Sequence, residues 1–206
     1  MLTYLIGIPW WLKRLHNKGL IWSGTTKHKR IYLSFDDGPH PTITNYVLDL
    51  LKEHAIKATF FCIGDNVTKY PETFERIIND GHTVGNHTFH HLNGWKTDNL
   101  QYYKNILQAA KYIPSKLFRP PYGKIKPTQA NYLLKRGWRI IMWNSLSADF
   151  DPSLDGISCF NNVKSTLQNG SIVVFHDSEK AFDRMKIALP LLIQYCIEQQ
   201  YEIRAL

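Results

Sequence analysis

From residue 31 to the C-terminus, short apolar runs alternate with longer segments that have helical spacing. Strands that alternate with helices are typical of parallel sheets, in which helices form the crossover connections. Continuous apolar runs are also expected of strands that are buried on both faces. The sequence therefore predicts an α/β fold with about seven parallel strands, at residues 31–35, 58–63, 82–85, 116–118, 139–143, 172–175 and 201–204. A barrel and an open doubly wound sheet both fit this pattern.

The segments between the strands carry apolar residues at intervals of three and four, which predicts helices. The clearest spans residues 100–110, and others are expected around 46–51, 74–78, 127–137, 155–167 and 181–199. Pro190 is expected to kink or break the last of these. No internal repeat or low-complexity linker divides the 206 residues, so we expect a single domain over residues 30–206.

The first 29 residues are predicted to form an arm appended to this domain. Basic residues follow the apolar start and no small-residue cleavage site is present, so a cleavable signal peptide is not predicted. Two interpretations stay open: an arm packed on the domain, or a segment at a membrane surface, with Trp10 and Trp11 beside Lys13 and Arg14. We accordingly expect a cytoplasmic or peripherally membrane-attached protein.

The formal net charge is +8, from 25 Lys and Arg against 17 Asp and Glu. Such a balance favours anionic surroundings without specifying a partner. No recognised nucleic-acid-binding motif accompanies the charge, so nucleic acid is not predicted as a partner. Three scattered cysteines do not support a disulfide framework or a cysteine-based zinc finger.

Polar residues cluster directly after five of the predicted strands. The clusters are Asp36-Asp37-Gly38-Pro39, His87-Thr88-Phe89-His90-His91, Arg119-Pro120-Pro121-Tyr122-Gly123, Asp149 and His176-Asp177. In a parallel α/β barrel the carboxyl ends of the strands meet at one face, where active sites lie. We therefore expect these clusters to form one site.

His87 and His91 are four residues apart, so on a helical turn they share one face and can bind one metal ion. His90 offers a competing pair with His87 at a spacing of three. Asp36 and Asp37 leave a strand end in different directions, so one can ligate the metal while the other faces the substrate. Two histidines and one carboxylate with an open position are typical of a catalytic zinc site, which lowers the pKa of bound water to about 7.

Hydrolysis at such a site also needs a general base and a general acid. The aspartate that is not a ligand can act as the base, and His176, at the end of a buried-looking strand, is placed to act as the acid. The residue types alone do not distinguish a catalytic Arg119 from a surface arginine, or a catalytic Asp149 from a helix cap.

Together these residues resemble the polysaccharide deacetylase (NodB-homology) family, carbohydrate esterase family 4. Its first three motifs are matched in order by residues 34–39, 87–91 and 119–123, a fourth in part by 143–150, and a fifth by 174–176. Because the resemblance covers roughly residues 30–206, this segment is expected to be the catalytic domain. The resemblance also implies a distorted (β/α) barrel with about seven parallel strands rather than an open sheet.

The resemblance implies a role for each motif residue. Asp37, His87 and His91 correspond to the metal ligands, and Asp36 corresponds to the general base. Arg119 corresponds to the arginine that holds the base carboxylate and keeps it ionised by charge pairing.

The fourth and fifth motifs supply the proton donor. Asp149 corresponds to the acid that orients His176 and raises its pKa, so that this histidine can protonate a leaving amine. The backbone N–H of Tyr122, in the third motif, corresponds to a donor that stabilises the tetrahedral oxyanion. Two residues depart from the family pattern: Leu146 stands where an Asp is usual, and Phe150 where a Trp is usual.

The resemblance implies a metal-dependent hydrolase that removes N-acetyl groups from amino sugars of a glycan, such as peptidoglycan, a chitin-like polymer or a surface polysaccharide. One divalent ion is expected, Zn²⁺ first, with Co²⁺, Ni²⁺ or Mn²⁺ also permitted by the ligand types. The expected partner is an N-acetylated glycan. Two alternatives stay open: an O-acetyl esterase acting on a glycan, and a catalytically silent glycan-binding module.

Overall fold

The computed structural model describes residues 5–7 and 19–206, so Trp10, Trp11, Lys13 and Arg14 of the predicted arm lie outside the described residues. The strands are β1 (Leu20–Ile21), β2 (Arg30–Asp36), β3 (Thr59–Cys62), β4 (Thr83–Asn86), β5 (Leu117–Phe118), β6 (Arg139–Ile141), β7 (Ser145–Leu146), β8 (Ile172–His176) and β9 (Glu202–Arg204). The α-helices are α1 (Ile43–Glu53), α2 (Gly64–Lys69), α3 (Pro71–Asn79), α4 (Asn99–Ala109), α5 (Pro127–Leu134), α6 (Gly156–Thr166) and α7 (Glu179–Glu198).

The strands form one curled parallel sheet in the order β1-β6-β5-β4-β3-β2-β8-β7, with β9 paired to β2. The sheet makes a half-barrel surrounded by helices, which confirms the predicted distorted (β/α) barrel and excludes the open doubly wound sheet. Each of the seven predicted runs overlaps one of the observed strands.

Two further strands, β1 and β7, were not predicted; each has two residues. β1 lies in the segment predicted to be an arm, where Leu20 and Ile21 pair with β6. Near the start of the chain, Gly7 forms an antiparallel bridge with Ser145 in β7. The described residues of the 1–29 segment therefore contact the sheet directly, and the domain boundary at residue 30 stays a prediction.

The register of the sheet brings the strand ends that precede the polar clusters side by side. Asp36 at the end of β2 pairs with His176 at the end of β8, and Asn86 at the end of β4 pairs with Phe118 at the end of β5. Apolar side chains of β2, β3 and β8 fill the core beneath these ends. The carboxyl ends of the strands therefore carry the polar residues to one face, as the sequence predicts.

Helix α7 continues through Pro190, so the expected break at this proline is wrong. Its face formed by Ala188, Leu189, Leu192 and Ile193 is buried against the core. The free energy gained by burying this face exceeds the cost of the backbone hydrogen bond that is lost because proline has no N–H. In the described part of the chain, no helix is both long enough and apolar enough to cross a bilayer.

Two adjacent leucines test which face of α7 is buried beyond Pro190. Leu192 is fully buried, whereas Leu191 is 36% exposed. We expect Leu192→Ala to lower the free energy of unfolding by about 2–5 kcal/mol, because it removes core contacts and leaves a cavity. Leu191→Ala, the matched control, should lower it by about 0.5 kcal/mol or less. Urea denaturation measures both, and equal losses would contradict a helix that continues through the proline.

Candidate active site

A cavity of about 490 Å³ opens at the carboxyl ends of the strands. Six of the predicted site residues line it: Asp36, Asp37, His87, His91, Tyr122 and His176. The other two, Arg119 and Asp149, are fully buried, and each bonds to a residue of the lining. The structure therefore brings all eight predicted residues together, while their individual catalytic roles stay predictions.

Asp37, His87 and His91 form a group that could hold a metal ion, the metal-binding group. Asp37 Oδ1 lies 3.2 Å from His91 Nε2 and 3.7 Å from His87 Nε2. Burial alone would raise the pKa of Asp37, but its hydrogen bond with His91 and the nearby imidazoles hold this pKa well below its usual value. Two imidazole nitrogens and one carboxylate oxygen beside an open cavity are a donor set that fits a divalent ion.

The two histidines of this group are oriented by their second ring nitrogens. His87 Nδ1 bonds to the backbone oxygen of Arg119 at 2.8 Å, and His91 Nδ1 lies 3.1 Å from the hydroxyl of Tyr122. Burial lowers the pKa of His87 to about 4, so this imidazole is neutral near pH 7. Its Nε2 lone pair is therefore free to bind a cation, as metal-ligating histidines require.

His87 and His91 meet through a loop rather than through the helical turn assumed from their spacing. Thr88 and His91 have φ of 64° and 55°, a left-handed backbone conformation that does not occur within a right-handed helix. Asn86 Oδ1 accepts the backbone N–H of Thr88, and Asn105 Oδ1 accepts the next two backbone N–H groups. Hydrogen bonds to two buried asparagine side chains therefore fix the loop.

His90 is not part of the metal-binding group. Its Nδ1 lies 2.9 Å from Asn105 Nδ2, and its ring packs edge-on against Phe89 at 4.7 Å. Of the two histidine pairs left open by the sequence, the structure therefore directs His87 and His91 towards Asp37.

Asp36 is held by Arg119, as the resemblance implies. Arg119 Nη1 donates to Asp36 Oδ1 at 2.7 Å and to Ser34 Oγ at 2.8 Å. The same guanidinium donates to the backbone oxygens of Ile141 and Met142, both at 3.3 Å. The carboxylate therefore faces the cavity with one oxygen fixed by a charge-assisted hydrogen bond.

The chain turns sharply at Asp37, whose φ is 82°. The next residue, Gly38, donates its N–H to Asp177 Oδ1, and a Cβ at this glycine would lie 2.0 Å from Asp177 Oδ2. Thr44 donates its hydroxyl to Asp177 at 2.5 Å, and burial raises the pKa of this acid to about 7. Asp177, to which the sequence analysis assigned no role, thus fixes the turn that points the two aspartates in different directions.

The fully buried Asp149 pairs with His176, which is partly buried and lines the cavity. Asp149 Oδ1 lies 2.7 Å from His176 Nδ1, and Asp149 Oδ2 accepts the backbone N–H of His176 at 2.9 Å. Burial lowers the pKa of His176, but the Asp149 carboxylate outweighs it and raises this pKa to about 9. Ala148, with φ of 58°, and Phe150, whose ring is edge-on to His176 at 5.2 Å, flank the pair.

The structure adds two interactions that the sequence did not indicate. The resemblance assigned a role only to the backbone N–H of Tyr122. In the structure, the Tyr122 hydroxyl contacts the metal-binding group through His91. Lys180 Nζ lies 3.1 Å from Asp37 Oδ2 and also lines the cavity. Lys180 belongs to no sequence motif. It lies beside Asp37 because the start of α7 and the end of β2 meet in the folded sheet, which the sequence alone does not reveal.

The sequence profile of polysaccharide deacetylases matches residues 23–141, more than half of the chain. Two curated relatives are peptidoglycan-N-acetylglucosamine deacetylases of Bacillus cereus. One is 37% identical over 164 residues, covering 76% of this chain and 58% of the relative. The other is 31% identical over 196 residues, covering 92% of each. The chain thus spans less than two thirds of the first relative and nearly all of the second.

Among solved structures, the Bc1960 peptidoglycan N-acetylglucosamine deacetylase superposes with a TM-score of 0.87 at 28% identity. The superposition covers 97% of this chain and 95% of that one, so the likeness extends over the whole half-barrel. The profile match and the relative that aligns along nearly its full length agree with this superposition, and together they show that the chain belongs to the polysaccharide deacetylase family, carbohydrate esterase family 4.

Proposed function

We propose that this chain is a metal-dependent N-deacetylase, which hydrolyses the acetamide of an N-acetylated amino sugar in a glycan. The observation that carries the proposal is the convergence of three units on one cavity: a metal-binding group, a buried Asp–Arg pair and a buried Asp–His pair. The names of the Bacillus cereus relatives support a glycan that contains N-acetylglucosamine as the substrate class.

The metal would be held by Asp37, His87 and His91, and Zn²⁺ is the ion that we propose. Zn²⁺ favours imidazole and carboxylate ligands in four-coordinate catalytic sites, although Co²⁺, Ni²⁺ and Mn²⁺ accept the same donors. When bound, the ion supplies Lewis acidity, which lowers the pKa of a water molecule and polarises a carbonyl oxygen.

We propose Asp36 as the general base. Arg119 holds Oδ1 of its carboxylate, which leaves the other oxygen to accept a proton from the attacking water. Asp36 and Asp37 are neighbours in sequence, yet Asp37 faces the two histidines while Asp36 faces the guanidinium. Tyr122 lines the cavity in a turn with φ of 61°, and we propose its backbone N–H as a donor to the oxyanion.

We propose His176 as the general acid. Because Nδ1 bonds to Asp149, the other ring nitrogen is left to donate a proton to the departing nitrogen. The C–N bond of the acetamide breaks as this proton is transferred, which gives acetate and a free amine. A histidine whose pKa is raised to about 9 is protonated near neutrality, as this role requires.

The metal-binding group predicts one divalent ion per chain. Asp37→Ala and His91→Ala should lose the ion, because each removes one of three donors, whereas the control His90→Ala should retain it. Elemental analysis measures the metal content. A chelator should abolish acetate release from an N-acetylglucosamine oligosaccharide, and added Zn²⁺ should restore it. Acetate release that survives complete removal of the metal would contradict the proposed function.

The two aspartates should respond differently to conservative substitution. Asp36→Asn should keep the metal but lower turnover about 10²–10⁴-fold, the contribution expected of a general base. Asp37→Asn should weaken metal binding itself. Calorimetric titration with Zn²⁺ and acetate release separate the two effects, and equal loss of metal affinity in both variants would show that base and ligand are misassigned.

Asp149→Asn should change the pH dependence of kcat/KM. The Asp149 carboxylate stabilises protonated His176, so its removal should lower the pKa of His176 and move the alkaline limb of the profile to lower pH. The limb descends with rising pH because the acid must be protonated. Metal content should not change.

His176→Ala separates the two leaving groups. The acetamide should lose more turnover than an activated aryl ester, because an amine leaves poorly unless it is protonated. Equal losses for the two substrates would show that His176 is not the general acid. An O-acetyl esterase, the alternative function, would hydrolyse acetyl esters on sugar hydroxyl groups and leave N-acetyl groups intact.

A further inference from the structure

The outer face of helix α4 carries exposed leucines that alternate with lysines. Leu100 is 62% exposed and Leu107 is 50% exposed, and the exposed Lys104 lies between them. At 3.6 residues per turn these three positions fall within about 60° around the helix axis, opposite the side that packs into the core. In the turn after α4, Lys111 and Tyr112 border the same open depression as Lys104 and Leu107. These five residues form one continuous surface, the α4 surface.

The positive charge on this side of the barrel is not balanced by acids of the same segment. Residues 99–148 contain no Asp or Glu and nine basic residues: Lys104, Lys111, Lys116, Arg119, Lys124, Lys126, Lys135, Arg136 and Arg139. Of these nine, only Arg119 is buried. The segment forms α4, β5, α5 and β6, which are neighbours at one end of the sheet, because β5 pairs with β6 and the Tyr103 ring of α4 stacks on Tyr132 of α5 at 3.9 Å. The exposed cations therefore share one side of the barrel with the exposed leucines.

Contacts within the protein leave this charge in place. The Arg136 guanidinium lies 3.5 Å from the centre of the Tyr132 ring, and Lys116 Nζ lies 4.7 Å from the Trp138 ring, neither of which carries a net charge. Asp98, the acid that directly precedes α4, accepts the backbone N–H of Gln101 and so caps the helix. The side of the barrel around the α4 surface is therefore complementary to an anionic partner.

We propose that the α4 surface docks the protein on a lipid bilayer that contains anionic phospholipids. Lys104 and Lys111 would bind headgroup phosphates, while Leu100, Leu107 and Tyr112 would enter the boundary between headgroups and acyl chains. A free polyanion, such as a nucleic acid, binds through phosphate contacts with basic side chains and would leave the leucines exposed to water. The alternation of leucine with lysine therefore favours a lipid surface.

The N-terminal segment is a less suitable occupant of the α4 surface. Residues 1–18 contain Lys13, Arg14 and Lys18 and no acidic residue, so their charge repels the lysines of α4. The chain on either side of residues 8–18 contacts the sheet rather than α4, through the bridge from Gly7 to β7 and the pairing of β1 with β6. An anionic bilayer complements both basic regions.

Sedimentation with lipid vesicles tests the docking surface. The full chain should bind vesicles of phosphatidylcholine mixed with phosphatidylglycerol and should not bind vesicles of phosphatidylcholine alone. Lys104→Gln and Lys111→Gln should each weaken binding about fivefold, the contribution expected of one basic residue near an anionic bilayer. Leu107→Gln should weaken it about tenfold, because an apolar side chain no longer leaves water. Equal binding to both kinds of vesicle, or binding to neither, would overturn the inference.

Matched substitutions on other helices separate the α4 surface from overall charge. Lys52→Gln on α1 and Lys186→Gln on α7 remove the same charge, and Ile197→Gln on α7 removes an apolar side chain that is 52% exposed. These controls should bind as the wild type does, and equal losses in controls and α4 variants would overturn the inference. Wild-type binding by Leu107→Gln, with losses in the lysine variants, would indicate recognition of phosphate charge alone and overturn the assignment to lipid.

The α4 variants should remain folded, because glutamine favours helices about as well as leucine and lysine do. Urea denaturation should give the wild-type midpoint. None of the five residues lines the catalytic cavity, so acetate release from a soluble oligosaccharide should also be unchanged. The docking surface and the proposed function are therefore tested by separate measurements.

A fluorescent label reports whether α4 itself meets the lipid. Cys62, Cys159 and Cys196 are all buried, so a thiol-reactive, environment-sensitive dye will label Leu107→Cys selectively. Its emission should shift to shorter wavelength when vesicles containing phosphatidylglycerol are added, whereas the same dye on Ile197→Cys should show no shift. No shift at residue 107, or equal shifts at both positions, would overturn the inference.

Discussion

The site depends on a guanidinium that is buried completely inside the curled sheet. Arg119 donates to Asp36, to Ser34 and to the backbone oxygens of Ile141 and Met142 at the end of β6. Its guanidinium carbon also lies 4.0 Å from the centre of the Phe61 ring. Its own backbone oxygen accepts the hydrogen bond that orients His87. A buried charge is costly unless it is paired and hydrogen-bonded, so the buried guanidinium needs these contacts together. The base, one metal ligand and the interior of the barrel therefore cannot be altered independently.

Two histidines of one cavity are driven to opposite protonation states by their surroundings. His87 is buried beside a backbone oxygen, and burial lowers its pKa to about 4, which suits a neutral metal ligand. His176 is partly buried, and the direct bond to Asp149 raises its pKa to about 9, which suits a proton donor. Groups of the same type with divergent pKa values are a recurrent means of dividing acid, base and ligand roles within one site.

The sequence predicted the parts of this structure that follow from local pattern and parallel topology. Continuous apolar runs identified β2 and β8, and because all strands run in one direction, the polar residues after them had to meet at one end. β1 and β7 escaped prediction: β1 lies in the segment assigned to an arm, and β7 follows β6 too closely to be recognised as a separate strand.

The errors at the site have a similar cause. The spacing of His87 and His91 suggested a helical turn, yet the loop is determined by hydrogen bonds that its backbone N–H groups donate to Asn105, on the separate helix α4. Lys180 lies in the cavity because α7 begins directly after β8, a relation that depends on the assembled sheet. The motif residues could therefore be found from the sequence, whereas the contacts that orient them could not.

Several site residues adopt a backbone conformation that non-glycine residues normally avoid. Positive φ occurs at Asp37, Thr88, His91, Tyr122 and Ala148, each of which is a predicted site residue or lies next to one. A left-handed conformation costs a non-glycine residue roughly 1–2 kcal/mol, so the fold must hold these loops in place through their buried partners. A mutation that relaxed one of them would make the chain more thermostable and displace the group on which turnover depends. Selection for heat resistance and selection for catalytic rate therefore act in opposite directions on the same few loops.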